Sequence, residues 1–395
     1  MAADLFPKTN ADVLAAVQWA VAEKTPLEII GNGSKRALGR PMQTAHTLDL
    51  SGLSGVTLFE PDELVLSAKA GTPLSEIEAQ LDEHHQELQF EPMDVGPLLG
   101  LPEGQATLGG LVNTNLSGPR RLKAGSVRDH ILGIKAVSGR GEAFKSGGRV
   151  VKNVTGYDLS KGICGAYGTL AVLTDITMKV LPRAETEQTL VLTGLSDVQA
   201  TEAMALAMGS SAEVSGAAHI PADGDTPAQT FLRLEGFAPS VAYRIDKLST
   251  LLATVSSQER IDNAVSKAIW KDMRDCRRFA GSKRPVWRIS CTPTQGHMIA
   301  AAISQKAPVR HMFDWQGGLI WVEVDDVFAY ADAVRGAIAA HGGGHATLIR
   351  ADADIRLTVD VFQPQEPALA QLSERYRANF DPYSILNPGR MRNPR

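Results

Sequence analysis

Gly147-Gly148-Arg149-Val150-Val151-Lys152-Asn153-Val154-Thr155-Gly156-Tyr157-Asp158-Leu159 runs on into Gly165-Ala166-Tyr167-Gly168-Thr169-Leu170-Ala171-Val172. Two glycine-rich turns precede this stretch: Gly31-Asn32-Gly33-Ser34 and Ala106-Thr107-Leu108-Gly109-Gly110. Each of the three lies beside a strand-like apolar run. Glycine removes the Cβ that would keep a bulky anion away from main-chain N–H groups. Three such turns in the first half of the chain predict one long, phosphate-bearing ligand held by backbone donors. Gly31 and Gly33 allow approach from one side and Ser34 adds a hydroxyl donor. Thr107, Gly109 and Gly110 can act from the other side.

Competing phosphate motifs fail. A dinucleotide fingerprint needs G-x-G-x-x-G, and Arg36 stands at its last position. No G-x-x-x-x-G-K-[ST] loop occurs.

The chain has 395 residues, 44% apolar and 21% charged. That length predicts two domains. A net charge of −4 gives no general attraction to nucleic acid or to an anionic membrane. The three cysteines, Cys164, Cys276 and Cys291, form no C-x-x-C pair, so no metal or iron–sulfur site is read. The N-terminus lacks a basic segment followed by an apolar one, and no run of about 18 apolar residues occurs. The expectation is a reducing, cytoplasmic setting with no transmembrane segment, peripheral attachment at the inner membrane through partners staying open.

Asn10 reads as a helix cap, with Val13, Leu14, Val17, Ala20 and Val21 at helical spacing. Leu27 to Ile30 is a strand leading into the first glycine turn. Leu64 to Ala70 is a buried strand. Thr72 and Pro73 open a helix that turns Leu74, Ile77 and Leu81 inward. Leu108 to Val112 starts a helix under the second turn. His130 to Ser138 is a strand that returns after Gly139-Arg140-Gly141. Leu170 to Leu181 is a strand with partial alternation. Residues 183–228 carry few signals. Further strands fall at 231–237, 286–290 and 319–324, and helices at 241–252, 330–340 and 372–380. These elements describe an α+β unit with an antiparallel sheet. No internal repeat is legible.

The chain resembles the FAD-binding domain of vanillyl-alcohol oxidase-type and p-cresol methylhydroxylase-type flavoproteins. It resembles more closely the smaller flavin subunit of bacterial glycolate dehydrogenase (glycolate oxidase). The segments that carry this are I-G-N-G-S-K (30–35), A-T-L-G-G-L-V-N-T-N-L-S-G-P-R-R (106–121), G-S-V-R-D-H-I-L-G (125–133), V-V-K-N-V-T-G-Y-D-L (150–159) and F-D-P-Y-S-I-L-N-P-G-R-M (380–391). The resemblance implies a two-part FAD-binding domain over residues 1–182. It also implies a smaller, ferredoxin-like α+β cap over 183–395, whose tail packs back on the first domain. It implies that Gly31, Asn32, Gly33, Ser34 and Lys35 bracket the FAD pyrophosphate with Thr107, Leu108, Gly109 and Gly110. Gly118, Gly125 and Asp129 would shape the loop along the dinucleotide. Ile134 and Val172 would offer backbone to the adenine. Gly165, Gly168 and Thr169 would line the inner wall, and Lys152, Asn153 and Tyr157 would lie toward the flavin.

Two departures stand out. Ala166 and Ala171 replace a Ser and a Gly of the family's third loop, removing a hydroxyl donor. Asn32-Gly33 occupies the place where many relatives carry a flavin-linked His, which implies non-covalent FAD.

Oxidation of a small 2-hydroxy acid needs a guanidinium for the carboxylate and a base for the hydroxyl proton. Arg288, Arg350 and His345 are the candidates. The H-G-G-G-H segment (341–345) reads as a loop, so His341 and His345 are not taken as a metal pair. Arg120, Arg121, Lys123 and Arg128 read as a solvated basic run, and Cys164 as a small buried hydrophobe. The H-x-G-D-G-N-like motif of the larger, catalytic relatives is absent, which argues against oxidation by this chain unaided. The resemblance implies two partners, a larger flavin subunit and an iron–sulfur subunit. Two rival readings are a self-sufficient FAD-dependent 2-hydroxy-acid dehydrogenase and a scaffold that keeps the fold without flavin.

Overall fold

The computed structural model describes residues 3–149 and 156–392. The chain forms two compact units. The first comprises Met1–Ser117, Gly125–Arg183 and Pro364–Arg395, and the second Gly118–Ala124 and Ala184–Gln363. The sequence boundary at 182/183 lies one residue from this division. Residues 364–395 count with the first unit, and 118–124 with the second.

The first unit opens with β1 (Ala3–Leu5), α1 (Asn10–Ala22), β2 (Leu27–Ile30) and β3 (His46–Asp49). β3 lies between β1 and β2 in a parallel sheet. The cap of α1 is Thr9, not Asn10: the Thr9 hydroxyl accepts from Asp12 N while the Asp12 carboxylate accepts from Thr9 N. Val13, Val17 and Ala20 of α1 pack on Leu27 and Leu48.

Next come β4 (Val56–Glu60), β5 (Val65–Lys69), α2 (Leu74–Glu83), β6 (Gln86–Glu87), α3 (Leu108–Thr114), α4 (Arg121–Ala124), α5 (Val127–His130), β7 (Ile131–Ser138), β8 (Ala143–Gly147), α6 (Leu159–Ile163), β9 (Ala171–Lys179) and β10 (Leu181–Pro182). An antiparallel sheet runs β4-β5-β9-β7-β8. Thr72 does not cap α2. Its hydroxyl donates to Lys69 O at 2.7 Å, and Pro73 is the residue that enters the helix. Leu74, Ile77 and Leu81 face the core as the periodicity predicts.

β9 explains its own partial alternation. The pairing shifts between Lys135/Asp175 and Ala136/Leu173, leaving Thr174 as an extra residue. The inward phase therefore changes from Ile176 and Met178 to Leu173 and Ala171, while Val172 reaches the core on the other face.

The second unit holds β11 (Thr186–Thr193), α7 (Asp197–Met208), β12 (Gly216–Ile220), β13 (Gln229–Gly236), α8 (Ala238–Leu251), β14 (Ser257–Asp262), α9 (Asn263–Arg274), β15 (Val286–Cys291), α10 (Gly296–Ser304), β16 (Val309–Asp314), β17 (Leu319–Val324), α11 (Ala331–Ala340), β18 (Gly344–Arg350) and α12 (Ala353–Thr358). One antiparallel sheet runs β14-β11-β13-β12-β16-β17-β15-β18. It consists of two βαββαβ halves with the same spatial order. One half spans β11 to β14 and the other β15 to β18. The expectation of a single small ferredoxin-like cap becomes a tandem of two such halves, a duplication that no repeat in the sequence announces.

The halves meet where β12 pairs with β16 at His219 and Phe313. At this seam the Asp197 carboxylate, at the start of α7, lies 2.8 Å from His311 Nε2 and 3.3 Å from His219 Nε2. Burial pushes the Asp197 carboxyl up, but the hydrogen bond from His311 and the close His219 imidazole outweigh it and hold the group well below the usual carboxylate range.

The chain returns to the first unit through α13 (Pro367–Phe380). The following turn is organised by Asp381, whose carboxylate accepts from Ile385 N at 3.1 Å and Leu386 N at 2.9 Å.

Asp197→Asn is expected to lower stability by about 2 kcal/mol at pH 7, the worth of a charged hydrogen bond, read as a lower Tm. The native carboxyl titrates below its unfolded value of about 3.9. The wild-type advantage is therefore complete above that pH, and the Tm gap closes as acid protonates Asp197.

Candidate cofactor site

The first unit contains a cleft lined by Ala70, just after β5, and Leu173 of β9. Gly31 to Arg36 form one wall and Thr107, Gly109 and Gly110 the other. Tyr167, Gly168, Asn387 and Arg390 close the end. Residues of all three glycine segments singled out in the sequence, Tyr167 and Gly168 among them, therefore share one cavity.

The two walls meet without spare room. A Cβ built on Gly31 would lie 2.5 Å from Thr107 Oγ1, well inside contact distance. Thr107 caps α3 by accepting from Gly110 N, which fixes its hydroxyl there. Gly109 has a different task from that expected. A Cβ on it would meet Ala70 O at 2.9 Å, and Gly109 N donates to that same carbonyl at 2.7 Å. Its missing side chain lets α3 sit directly on β5.

Lys35 supplies the charge. Its side chain is half-buried, but its Nζ is shut off from solvent and has no hydrogen-bond partner among the described residues. A Cβ on Gly110 would stand 3.8 Å from that nitrogen, so the ammonium lies over the second loop. Burial lowers its pKa to about 8, partly countered by the field of Asp94. The other cations of the cleft are engaged. Arg36 pairs with Glu28, and Arg390 Nη1 donates to Arg36 O at 3.3 Å.

The C-terminal segment completes the wall. Asn387 is buried, accepts from Ile29 N at 2.8 Å and donates to Tyr167 O at 2.8 Å. Asn113 of α3 mirrors it, donating to Gly109 O and accepting from Gly168 N. Both asparagines escaped the sequence reading, although Asn387 stands in the N-P-G part of a segment quoted for the resemblance.

Of the remaining candidates, Leu108 is buried in the main core of the unit. Gly165 N donates to Val112 O, and the Thr169 hydroxyl to Ala166 O. Asp129 closes a capping box with Ser126, beside Gly125. Ile134 and Val172 sit within the sheet with buried side chains. Tyr157 is 90% exposed. Gly118 belongs to the second unit, where its carbonyl accepts from Trp315 Nε1. Lys152 and Asn153 lie outside the described residues. Cys164 is buried in the core, and burial pushes its thiol up to about 12.

In the second unit, Arg350 donates to Arg284 O, Phe279 O and Glu323, each at 2.7 Å, so its nitrogens are spent inside the unit. His345 lies on a strand, β18, rather than on the expected loop. Arg120 makes two bonds to Glu235, and Arg121 stacks on Trp315, so the basic run is not simply solvated. Among the described residues no group of three His, Cys, Asp or Glu could hold a metal ion.

The comparisons with known proteins agree with this geometry. The chain is 34% identical to the glycolate oxidase subunit GlcE of Escherichia coli over 385 residues, 96% of either protein. This chain belongs to that glycolate oxidase subunit family. Residues 1–147 match the FAD binding domain model, which makes FAD the group against which the cleft is tested. A shorter match, 40% over 86 residues, links it to the glycolate oxidase subunit GlcD of Bacillus subtilis, covering 22% of this chain and 18% of that protein. The fold is that of p-cresol methylhydroxylase: its structure with substrate bound superimposes with a TM-score of 0.75 at 13% identity, covering 99% of this chain and 88% of that one.

The residues fit the diphosphate of FAD. A sealed, unpartnered ammonium faces the cleft between the loops, and the first loop, Gly31 to Lys35, is the one that offers main-chain donors, since Leu108 N, Gly109 N and Gly110 N are already bonded to Thr72 O, Ala70 O and Thr107 Oγ1. Lys35→Met is expected to weaken FAD binding roughly 10- to 100-fold, the loss of one charge-assisted bond, measured by flavin fluorescence titration. In wild type the affinity should be full below pH 8 and decline above it as Lys35 deprotonates, whereas the Met variant should show no such decline.

Asn387→Ala leaves buried partners at Ile29 and Tyr167. It should cost about 2 kcal/mol or more, seen as a lower Tm and poorer flavin retention.

Proposed function

We propose that this chain is the FAD-binding subunit of a multi-subunit glycolate oxidase. It takes part in oxidising glycolate or a similar 2-hydroxy acid to the 2-oxo acid, and its electrons pass to a partner subunit. The observation that carries this reading is the sealed Lys35 ammonium between the glycine loops. A buried ammonium without a hydrogen-bond partner is costly, and a diphosphate placed there removes that cost. FAD supplies a flavin that accepts the hydride of the substrate carbon. The protein's own part is to hold the cofactor. Gly31 to Lys35 grip the diphosphate, Thr107 to Gly110 form the facing wall, Asn387 and Asn113 fix the loops, and Asn32-Gly33 offers no histidine for a covalent flavin bond.

The similarity to a glycolate oxidase subunit over nearly the whole chain supports membership of a complex. The similarity of a shorter segment to a second such subunit supports a larger flavin partner. With no metal cluster among the described residues, onward electron transfer falls to an iron–sulfur partner. No described helix is long and apolar enough to cross a membrane, so any placement at the cytoplasmic face of the inner membrane runs through those partners.

Purified protein given FAD should turn yellow and bind one flavin per chain. Acid precipitation should release all of that flavin into the supernatant. Dye reduction by glycolate should be weak with this chain alone and rise when the partner subunits are added. A colourless protein after FAD addition would favour the scaffold reading, and full activity from the chain alone would favour the self-sufficient one.

A further inference from the structure

The sheet of the second unit turns one face to its core. Trp287 and Ile289 of β15, Ile320 and Val322 of β17, and Ala346 and Leu348 of β18 belong to that core. Alternation puts Arg288, Ser290, Trp321, His345 and Thr347 on the opposite face. Register brings them side by side. Arg288 stands opposite Trp321 on one neighbour and Thr347 on the other, and Ser290 stands opposite His345.

Arg121 of α4 joins this group. Its guanidinium carbon lies 4.3 Å from the centre of the Trp315 ring, and that of Arg288 lies 4.9 Å from the same ring and 5.9 Å from Trp321. Two guanidinium groups therefore share one indole despite their mutual repulsion. Partial shielding of the ring lowers the pKa of His345, and Arg288 and Arg121 lower it further, so both cations act on that imidazole. Arg288, Ser290 and Thr347 are half-buried and His345 is exposed, so a small solute can reach them.

This is donor chemistry suited to one kind of ligand. A carboxylate accepts paired N–H bonds from a guanidinium group. A second oxygen on the neighbouring carbon finds two hydroxyls and an imidazole along the strands.

We propose that this face of the second unit binds a small carboxylate carrying an oxygen on the adjacent carbon, with Arg288 and Arg121 on the carboxylate and Ser290, His345 and Thr347 on the second oxygen. The lowered pKa of His345 favours the neutral imidazole, whose free ring nitrogen accepts a hydrogen bond from a ligand hydroxyl. For the ligand's identity this rests on the reading of the chain as a 2-hydroxy-acid oxidoreductase subunit. The arrangement of donors is independent of that reading.

The test is calorimetric titration of the full chain with sodium glycolate, oxalate and acetate, with FAD content followed in parallel by absorbance. Glycolate and oxalate should bind more tightly than acetate. Arg288→Gln and Arg121→Gln should each weaken glycolate binding about tenfold or more, and Arg288→Lys should recover part of the loss. Arg260→Gln, at an exposed arginine paired with Asp246, should change nothing. Arg121 is exposed and lies outside the strands, so its variant decides if Arg288→Gln fails to fold. Absence of glycolate binding, or wild-type affinity in Arg121→Gln, overturns the proposal. Yellow protein that binds no carboxylate sinks this site alone. Colourless protein that binds glycolate sinks the FAD reading alone.

Discussion

The contact between Gly31 and Thr107 sets the architecture of the first unit. Only a hydrogen atom separates the first loop from the second, and that spacing makes the cleft narrow enough to enclose an ammonium group. Everything around it serves to hold the two loops at that distance. The missing side chain of Gly109 seats α3 on β5, the extra Thr174 on β9 brings Leu173 to the floor, and two asparagines tie the glycine segments together. The cleft is thus a consequence of backbone packing more than of any one polar side chain, and Lys35 adds a buried positive charge to it.

Much of this was legible in the sequence because glycine and strand-like runs stand next to each other in the chain. The strand Leu27–Ile30 and its turn, the helix over Leu108–Thr114 and the inward set Leu74, Ile77 and Leu81 are local features with strong signals. The duplicated sheet was not legible, for a physical reason. The buried face of α7 is Ala200, Thr201, Ala203, Met204 and Ala207, and small residues give little periodic contrast. β12 reads Gly-Ala-Ala-His, poor in strand formers, because Trp270 presses on Gly216, where a Cβ would stand 3.0 Å from the ring. An indole supplied by another element does the filling that branched side chains do elsewhere.

Candidate residues divide along the same line. The loop glycines came together because their role is backbone approach, which composition reveals. Arg350 and Arg288 looked alike in sequence, both flanking strands, yet one is spent on two carbonyls and Glu323 while the other lies on the polar face with Trp315 and Trp321. Only strand register separates them. Asn387 was beyond reach as a site residue because its partners lie at the far end of the chain.

That remoteness orders events during synthesis. The amide of Ile29 is capped by a residue 358 positions downstream, and at about 5–20 residues per second roughly 20 to 70 s pass before that residue is made. A nascent chain can lay down every strand of its first unit while β2 still has one open edge. The end of the cleft that Asn387 closes is thus completed only after every strand of both units has been made.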